Sequence, residues 1–325
     1  MLLLNRSQVA SLLSFPEYMA AVEDAFRLHA EGAALESALA HVDAEQGEFH
    51  IKAGGLRGAT PYFAIKVNGG FFQNRAQSGL PNIQGLIMLS RADNGVPLAV
   101  MDSIEITLQR TGAATAIAAK YLARPESQVC TVCGCGTQGR IHLRALRHVL
   151  PLRKVFAWSR TAERSEAFAA EMTRELGIEV TPAPSLRDAL QASDVCVTCT
   201  PGRSPFLRRE DVPPGLFIAA VGSDSPDKQE LDASLVANSK VVADLRGQAA
   251  AVGETHHAIA AGLMHPDQIY AELGELISGK RPGRVKPEEI IIFDSTGTAL
   301  QDVAAAAAVY ERAIQAAVGL QWSPT

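Results

Sequence analysis

The sequence contains no run approaching the roughly 20 consecutive apolar residues that a helix needs to cross a bilayer. The apolar opening Met1-Leu2-Leu3-Leu4 gives way at once to Asn5-Arg6-Ser7, too short for the apolar region of a secretory signal. A cytoplasmic location is therefore expected, with no membrane partner. A basic footprint is also missing: 30 Lys and Arg against 35 Asp and Glu leave a formal net charge of −5, dispersed along the chain. Such a surface is not built to neutralise a phosphate backbone, so no nucleic-acid partner is expected. There is no internal repeat and no low-complexity linker. Cysteine is scarce, and its odd count of 5 argues against a disulfide framework. Cys130/Cys133 and Cys196/Cys199 have the spacing of a zinc ribbon. Each pair lies in a short apolar run of strand type, however, where residues three apart point to opposite faces and cannot converge on one ion. Buried, reduced thiols are the expectation, with Cys135 left over and no metal. The adjacent His256 and His257 diverge on any regular element and are expected on a loop or helix surface.

What is present is an ordinary globular composition, 47% hydrophobic and 20% charged over 325 residues, which exceeds one typical core and points to two domains. Ser14-Phe15-Pro16 followed by Tyr18, Val22, Ala25 and Phe26, then Gly32, reads as a capped amphipathic helix with a glycine stop. Glu48 to Ala53 and Tyr62 to Asn68 alternate cleanly and read as half-buried strands, with His50, Lys52 and Lys66 on their polar faces. Ile83 to Leu89 and Val96 to Met101 flank Asp93-Asn94-Gly95, a hairpin turn signal. Thr107 to Leu122 is helical and rich in small residues, and Arg124-Pro125 ends it. Beyond it, apolar strands over 128–133, 154–158, 195–200, 216–222, 240–244 and 290–293 alternate with helical stretches, the pattern of a parallel doubly wound sheet. An Ala-rich helix over 299–317 returns the chain to the first domain. The fold class is thus α/β, with a Rossmann domain over 119–298 inserted into a discontinuous α+β domain formed by 1–118 and 299–325.

The loop Gly134-Cys135-Gly136-Thr137-Gln138-Gly139 matches GxGxxG in the one context that gives the motif meaning, directly after an apolar strand and at the start of a helix read over 140–150. Gly134 permits the tight turn, Gly136 lets the backbone approach a pyrophosphate, and Gly139 lets helix and strand pack closely. The helix N-terminus then offers free N–H groups to the phosphate charge. An acid at the end of the next strand would bind an adenosine ribose and repel a 2′-phosphate. Instead, Trp158 is followed by Ser159-Arg160-Thr161, with Arg164 a turn later. Hydroxyl and guanidinium donors at that position point to NADPH as cofactor, with NADH possible.

Further motifs carry a resemblance. Lys66-Val67-Asn68-Gly69, Asp93-Asn94-Gly95-Val96-Pro97, Arg110-Thr111-Gly112-Ala113, the glycine loop, Ala220-Val221-Gly222-Ser223-Asp224-Ser225-Pro226 with Lys228 and Glu230-Leu231, and Phe293-Asp294-Ser295-Thr296-Gly297 occur in the order seen in the ornithine cyclodeaminase/mu-crystallin family. The chain resembles that family from about Gly47 to its C-terminus. The resemblance implies a Rossmann domain inserted in a substrate domain that also forms a homodimer, and a small imino or amino acid bearing a carboxylate as substrate. It implies that Lys66 and Arg110 bind the carboxylate and that Asp224 is the catalytic acid. Asn82, Thr111, Thr200, Val221, Gly222 and Lys228 align with cofactor contacts, and Thr296 with a contact on the substrate side.

His50 and Lys52 share the face that adjoins Lys66. His50 is a candidate substrate contact, standing where cyclodeaminases carry a glutamate. The expected reaction is NAD(P)H-dependent reduction of a cyclic imino acid, Δ1-pyrroline-2-carboxylate or Δ1-piperideine-2-carboxylate, to L-proline or L-pipecolate. The alternatives are an ornithine cyclodeaminase that retains its cofactor, an amino-acid dehydrogenase, and a non-catalytic NADPH-binding protein of crystallin type.

Overall fold

The computed structural model describes residues 1–323. The chain divides into two compact units, one formed by Met1–Ala113 together with the chain from Thr298 onward, the other by Ala114–Gly297. The second is thus an insertion in the first.

The first unit is built on strands β1 (Leu2–Leu4), β2 (Ala38–Ala44), β3 (Gly47–Arg57), β4 (Pro61–Gly70), β5 (Ile83–Arg91) and β6 (Pro97–Asp102). Helix Phe15–Ala30 starts at Ser14 with a reciprocal Ser14–Glu17 capping box, and its Pro16 lies in the first turn where no N–H is missed. Strands β2 to β6 form an antiparallel meander. The turn between β5 and β6 has Gly95 at φ +76°, and the Val96 N–H donates to Asn94 Oδ1. Strand β1 joins β6 in parallel and pairs on its other side with a short C-terminal strand, Leu320–Gln321.

Alternation along β3 and β4 holds, but the sides are reversed from the ordinary arrangement of polar residues to solvent. Lys52 and Lys66, directly opposite each other in register, are buried, as are Tyr62 and Ala64 on the same face of β4. That face packs against the long helix Ala299–Ala316. The opposite face leaves Val42, Phe49, Val67, Leu86 and Met88 exposed, and the pairings Val42↔Phe49, Ile51↔Val67, Val67↔Leu86 and Ile65↔Met88 make them one stripe across β2 to β5. Periodicity identifies the two faces of a strand; what covers each is decided by a helix more than two hundred residues further along the chain.

The second unit contains β7 (Val129–Cys133), β8 (Lys154–Trp158), β9 (Glu179–Pro182), β10 (Val195–Thr198), β11 (Arg203–Leu207), β12 (Phe217–Ala220), β13 (Gln229–Leu231), β14 (Lys240–Ala243), β15 (Ala271–Glu272) and β16 (Ile291–Asp294); Leu320–Gln321 of the first unit is then β17. Eight of them form a parallel sheet in the order β15-β14-β16-β12-β10-β7-β8-β9, and β11 pairs with β13 apart from it. Every residue of β10, β12 and β16 is buried, as expected of central strands covered on both faces. Successive strands run outward from β7 in one direction through β8 and β9, and the next ones lie on its other side. The order therefore reverses between β7 and β10, and in such sheets ligands bind in the crevice at the carboxyl ends beside that switch point.

Three strands are shorter than their apolar runs. They end at Thr198, Ala220 and Ala243 rather than at 200, 222 and 244, because the following residues turn their N–H groups or carboxylates into loop contacts described below. The helix of the glycine loop starts at Thr137, inside the motif, and the helix read from Thr107 starts at Ser103. Cys130, Cys133 and Cys196 are buried in the sheet as free thiols, with 4.0 Å between the sulfurs of Cys133 and Cys196. Among the described residues no helix is long and apolar enough to cross a membrane.

Candidate functional site

In the first unit, the structure brings Lys66 and Arg110 onto one carboxylate that the sequence reading did not single out. Lys66 Nζ lies 2.7 Å from Asp302 Oδ2, and Arg110 Nε lies 2.9 Å from Asp302 Oδ1, with all three side chains almost wholly buried. Arg110 also donates to Gln301 Oε1 at 2.9 Å. Gln301 and Asp302 are in the first turn of helix Ala299–Ala316, which Thr298 caps by accepting from the Gln301 N–H. An acid there is favoured by the positive end of the helix dipole. Thr298-x-x-Gln301 has the spacing of a capping box, which marks the helix start, but nothing local marks Asp302, one of two acids in that helix with Glu311.

Two cations therefore share one anion, and the charged groups that act on Lys66 are Asp302, Arg110 and Lys52. Burial pushes the Lys66 ammonium down to about 7; Asp302 opposes that shift, and Arg110 and Lys52 reinforce it. Burial alone would raise the Asp302 carboxyl, but Lys66 and Arg110 outweigh it and hold the group below its ordinary value. Uncompensated positive charge in a desolvated site is costly, and an anionic guest lowers that cost. Such a guest also raises the proton affinity of Lys66, so anion binding is favoured below about pH 7 and opposed as the lysine loses its proton above it.

The other candidate residues of this unit sit as follows. His50 lies on β3, on the face of Lys52 and two residues from it, with Nε2 3.0 Å from Glu48 Oε1. Thr111, buried one residue after Arg110, donates to the Thr107 carbonyl within its helix. Asn82 closes the loop before β5: its Oδ1 accepts from the Arg75 N–H and its carbonyl from the Phe71 N–H.

In the second unit, the glycine loop has the shape its motif requires. Gly134 is at φ +119°, and a Cβ on Gly139 would stand 2.2 Å from the Gly134 carbonyl oxygen and 3.2 Å from Val132, so neither position tolerates a side chain. A Cβ on Gly136 would meet nothing within 4 Å. Gly136 is also the N-cap of helix Thr137–Arg147, and no side chain caps the first-turn N–H groups. Open space in front of uncapped helix N–H groups is what a pyrophosphate needs, so the residues fit a dinucleotide. Arg140 holds the loop from behind, donating to the carbonyls of Cys135 and Gly136 while paired with Glu171. Ser159, Arg160 and Thr161 follow β8 with Arg160 and Thr161 exposed, and Trp158 stacks on Phe206 with 4.9 Å between ring centroids.

Asp224 lies in the loop after β12, with Lys228 Nζ 2.7 Å from its Oδ1. His257, on helix Glu254–Ala260, contacts the Lys228 carbonyl through Nε2 at 2.7 Å, so one of the two histidines set aside from the sequence reading supports this loop. Thr296 is committed within the unit, donating to Asp244 Oδ1 and accepting from Gln248 Nε2. Thr200, Val221 and Gly222 leave the carboxyl ends of β10 and β12 together. The Val221 N–H reaches the Thr198 carbonyl, while the N–H groups of Thr200 and Gly222 both donate to Glu230, at 2.6 and 2.9 Å.

Glu230 begins a buried series of acids. Its own N–H and that of Leu231 donate to Glu254; the N–H groups of Glu254 and Thr255 donate to Asp294; and Asp244 accepts from Thr296 and the Gly297 N–H. Carboxylates thus accept backbone N–H groups from the loops after β10, β12 and β16, from β13 and from the start of helix Glu254–Ala260. Burial raises Glu230 to about 7 against the hydrogen bonds it accepts, and raises Asp294 to about 6. Desolvation, with Glu230 and Asp294 nearby, raises Glu254 well above its ordinary value. Glu230 and Asp294 occur in the motifs that carry the resemblance, but the clamping role of these acids has no sequence signal, because most of their backbone partners are distant in sequence.

A raised carboxyl pKa in the folded state means that folding takes up protons. Stability from Glu230 is thus fully present below the unfolded value near 4.5 and falls as pH rises through about 7. Glu230→Gln cannot titrate, so the stability advantage of the natural protein over this variant should shrink by up to about 3 kcal/mol between pH 4.5 and 7.5. Urea denaturation of both proteins across that range measures it, and a constant difference contradicts the assignment.

The chain matches the family model described as "Ornithine cyclodeaminase/mu-crystallin family" over residues 1–317. It is 40% identical to the alanine dehydrogenase of Archaeoglobus fulgidus over 98% of this chain and 97% of the relative. A solved archaeal alanine dehydrogenase dimer with bound NAD superposes with a TM-score of 0.94 at 39% identity, covering 100% of this chain and 99% of that one. The Δ1-pyrroline-2-carboxylate reductase of Thermococcus litoralis, solved with NADH and L-proline, gives 0.93 at 32% identity, covering 99% and 100%. The iminosuccinate reductase of Paracoccus denitrificans is 35% identical over 96% of this chain and 97% of the relative. With its glycine loop, its buried cationic cluster and these relatives along its length, the chain belongs to the ornithine cyclodeaminase/mu-crystallin family.

Proposed function

We propose that the protein is an NADPH-dependent imine reductase, acting on CH–NH groups, that converts a small cyclic imino acid to L-proline or L-pipecolate. The observation that supports this most is the surplus of buried positive charge around Asp302, which suits a substrate carboxylate. The named activities of the relatives share one chemical feature, a carboxylate on the carbon that gains or loses hydride, and the cluster would recognise that feature in each of them.

In this reading Lys66 and Arg110 bind the carboxylate, Arg110 as a planar fork and Lys66 as a point charge, with Asp302 fixing both in place. The reduced nicotinamide supplies hydride to the imine carbon when bound. Asp224 stabilises the protonated imine nitrogen, the better hydride acceptor, and Lys228 holds the Asp224 carboxylate in position. Unit Met1–Ala113 with Thr298 onward is then the substrate-binding and dimerising part, and Ala114–Gly297 the cofactor-binding part. Asp224→Ala should lower kcat by at least about a hundredfold, the usual scale for a positioned acid, while changing the cofactor Kd by less than threefold. Near-natural turnover in this variant would remove Asp224 from the mechanism.

An amino-acid dehydrogenase with an open-chain substrate is the second reading, favoured by the 40% identity to an alanine dehydrogenase. Turnover of pyruvate and ammonia set against Δ1-pyrroline-2-carboxylate and Δ1-piperideine-2-carboxylate separates the two.

The preference for NADPH rests on Ser159, Arg160 and Thr161 and on the absence of an acid after β8. A charge-assisted hydrogen bond to a 2′-phosphate is worth about 1.5–3 kcal/mol, so Arg160→Ala should weaken NADPH binding roughly 10- to 150-fold and leave NADH unchanged. Fluorescence titration of both cofactors tests this, and NADH binding as tightly as NADPH to the natural protein overturns it.

The exposed stripe Val42, Phe49, Val67, Leu86 and Met88 is the surface we assign to homodimer contact. Leu86→Glu, at its most exposed point, should shift the protein to monomer in light scattering after size exclusion; an unchanged mass would move the interface elsewhere.

A further inference from the structure

One face of the β2–β3 hairpin carries four side chains of metal-ligand type, none of which the proposed reaction uses. In the antiparallel register His41 is directly opposite His50, and Asp43 is directly opposite Glu48. Residues two apart on a strand share a face, so the four form a compact square. His50 Nε2 is 3.0 Å from Glu48 Oε1, and His41 Nε2 is 3.6 Å from Glu48 Oε2 and 3.0 Å from Asp43 Oδ1. The ligand atoms of His41, Glu48 and His50 all lie within 4.8 Å of one another. In a tetrahedral site with bonds of about 2.0–2.2 Å, ligand atoms are roughly 3.3–3.6 Å apart, so movements of about 1 Å bring these three onto a common ion.

The charges favour such an ion. Carboxylates directly opposite each other on neighbouring strands repel. A divalent cation relieves the repulsion and uses the imidazole lone pairs at the same time. Imidazole with carboxylate selects a borderline metal over the hard cations Mg²⁺ and Ca²⁺. We propose that His41, Glu48 and His50 form a zinc site, with Asp43 or a water completing four-coordination. The ion would clip β2, an exposed edge strand with a single neighbour, to β3. It would also lie about 7 Å along β3 from Lys52, adding positive charge beside the cationic cluster.

The test uses the full-length protein stripped with a chelator, then titrated calorimetrically with Zn²⁺ and spectroscopically with Co²⁺. Expected are one equivalent per chain and the intense visible bands of tetrahedral Co²⁺. His41→Ala and Glu48→Gln should each weaken Zn²⁺ binding roughly tenfold or more. His265→Ala, which removes the ordinary exposed pair with Asp267 at 3.3 Å, should leave binding unchanged. His41 is exposed, so thermal unfolding of its variant in chelator should match the natural protein. Lack of stoichiometric binding, or binding that survives His41→Ala or disappears with His265→Ala, overturns the proposal.

Discussion

The first unit is organised around two buried cations, Lys66 and Arg110, that share one carboxylate, Asp302. Lys52, directly opposite Lys66, is buried beside them. A chain that only needed stability would replace such a cluster by apolar packing, which is often neutral or better. Keeping it is the ground for the proposal that a further anion binds there. The cost is borne by the long helix Ala299–Ala316, whose apolar face covers the sheet and whose first turn delivers Gln301 and Asp302 to the two cations. Core packing and charge placement are therefore done by one element.

The second unit solves a related problem with opposite sign. The loops that leave a parallel sheet at its carboxyl end have N–H groups with no strand partner, and a ligand satisfies only some of them. Here buried carboxylates accept the others: Glu230 takes those of Thr200 and Gly222, Glu254 those of Glu230 and Leu231, and Asp294 those of Glu254 and Thr255. Negative charge spread behind the crevice is held by backbone dipoles, and burial keeps part of it protonated near neutral pH. The Gly136 edge of the glycine loop remains open in front of uncapped helix N–H groups.

What could be read from the sequence divides along the range of the interactions. The parallel sheet, the glycine loop and the capped helix at Ser14 depend on residues within a few positions of one another, and their runs, spacing and caps announce them. The elements missed, such as β9, β15 and the β11–β13 pair, are two to five residues long and carry too few alternations to register. At the site, Lys66 and Arg110 were legible as cations in ordered motifs, whereas Asp302 was not, because its role exists only when a helix far along the chain crosses the sheet. Glu230 stood in one of those motifs, but its role was hidden for the same reason: a carboxylate that caps two loops looks, in one dimension, like any glutamate beside a leucine.

The reversal of faces on β3 and β4 follows from the same long-range constraint. An alternating strand in a free-standing sheet turns its polar residues to water, and Lys52 and Lys66 on that rule would be solvated. Covering that face with an Ala-rich helix instead buries the lysines and leaves Phe49, Val67, Leu86 and Met88 bare on the other side. A stripe of large apolar side chains that size is uncommon on a monomer and is disposed to be covered. Burying the cations thus generates an apolar outer face, and the buried charge and the bare stripe become two consequences of which way one sheet faces.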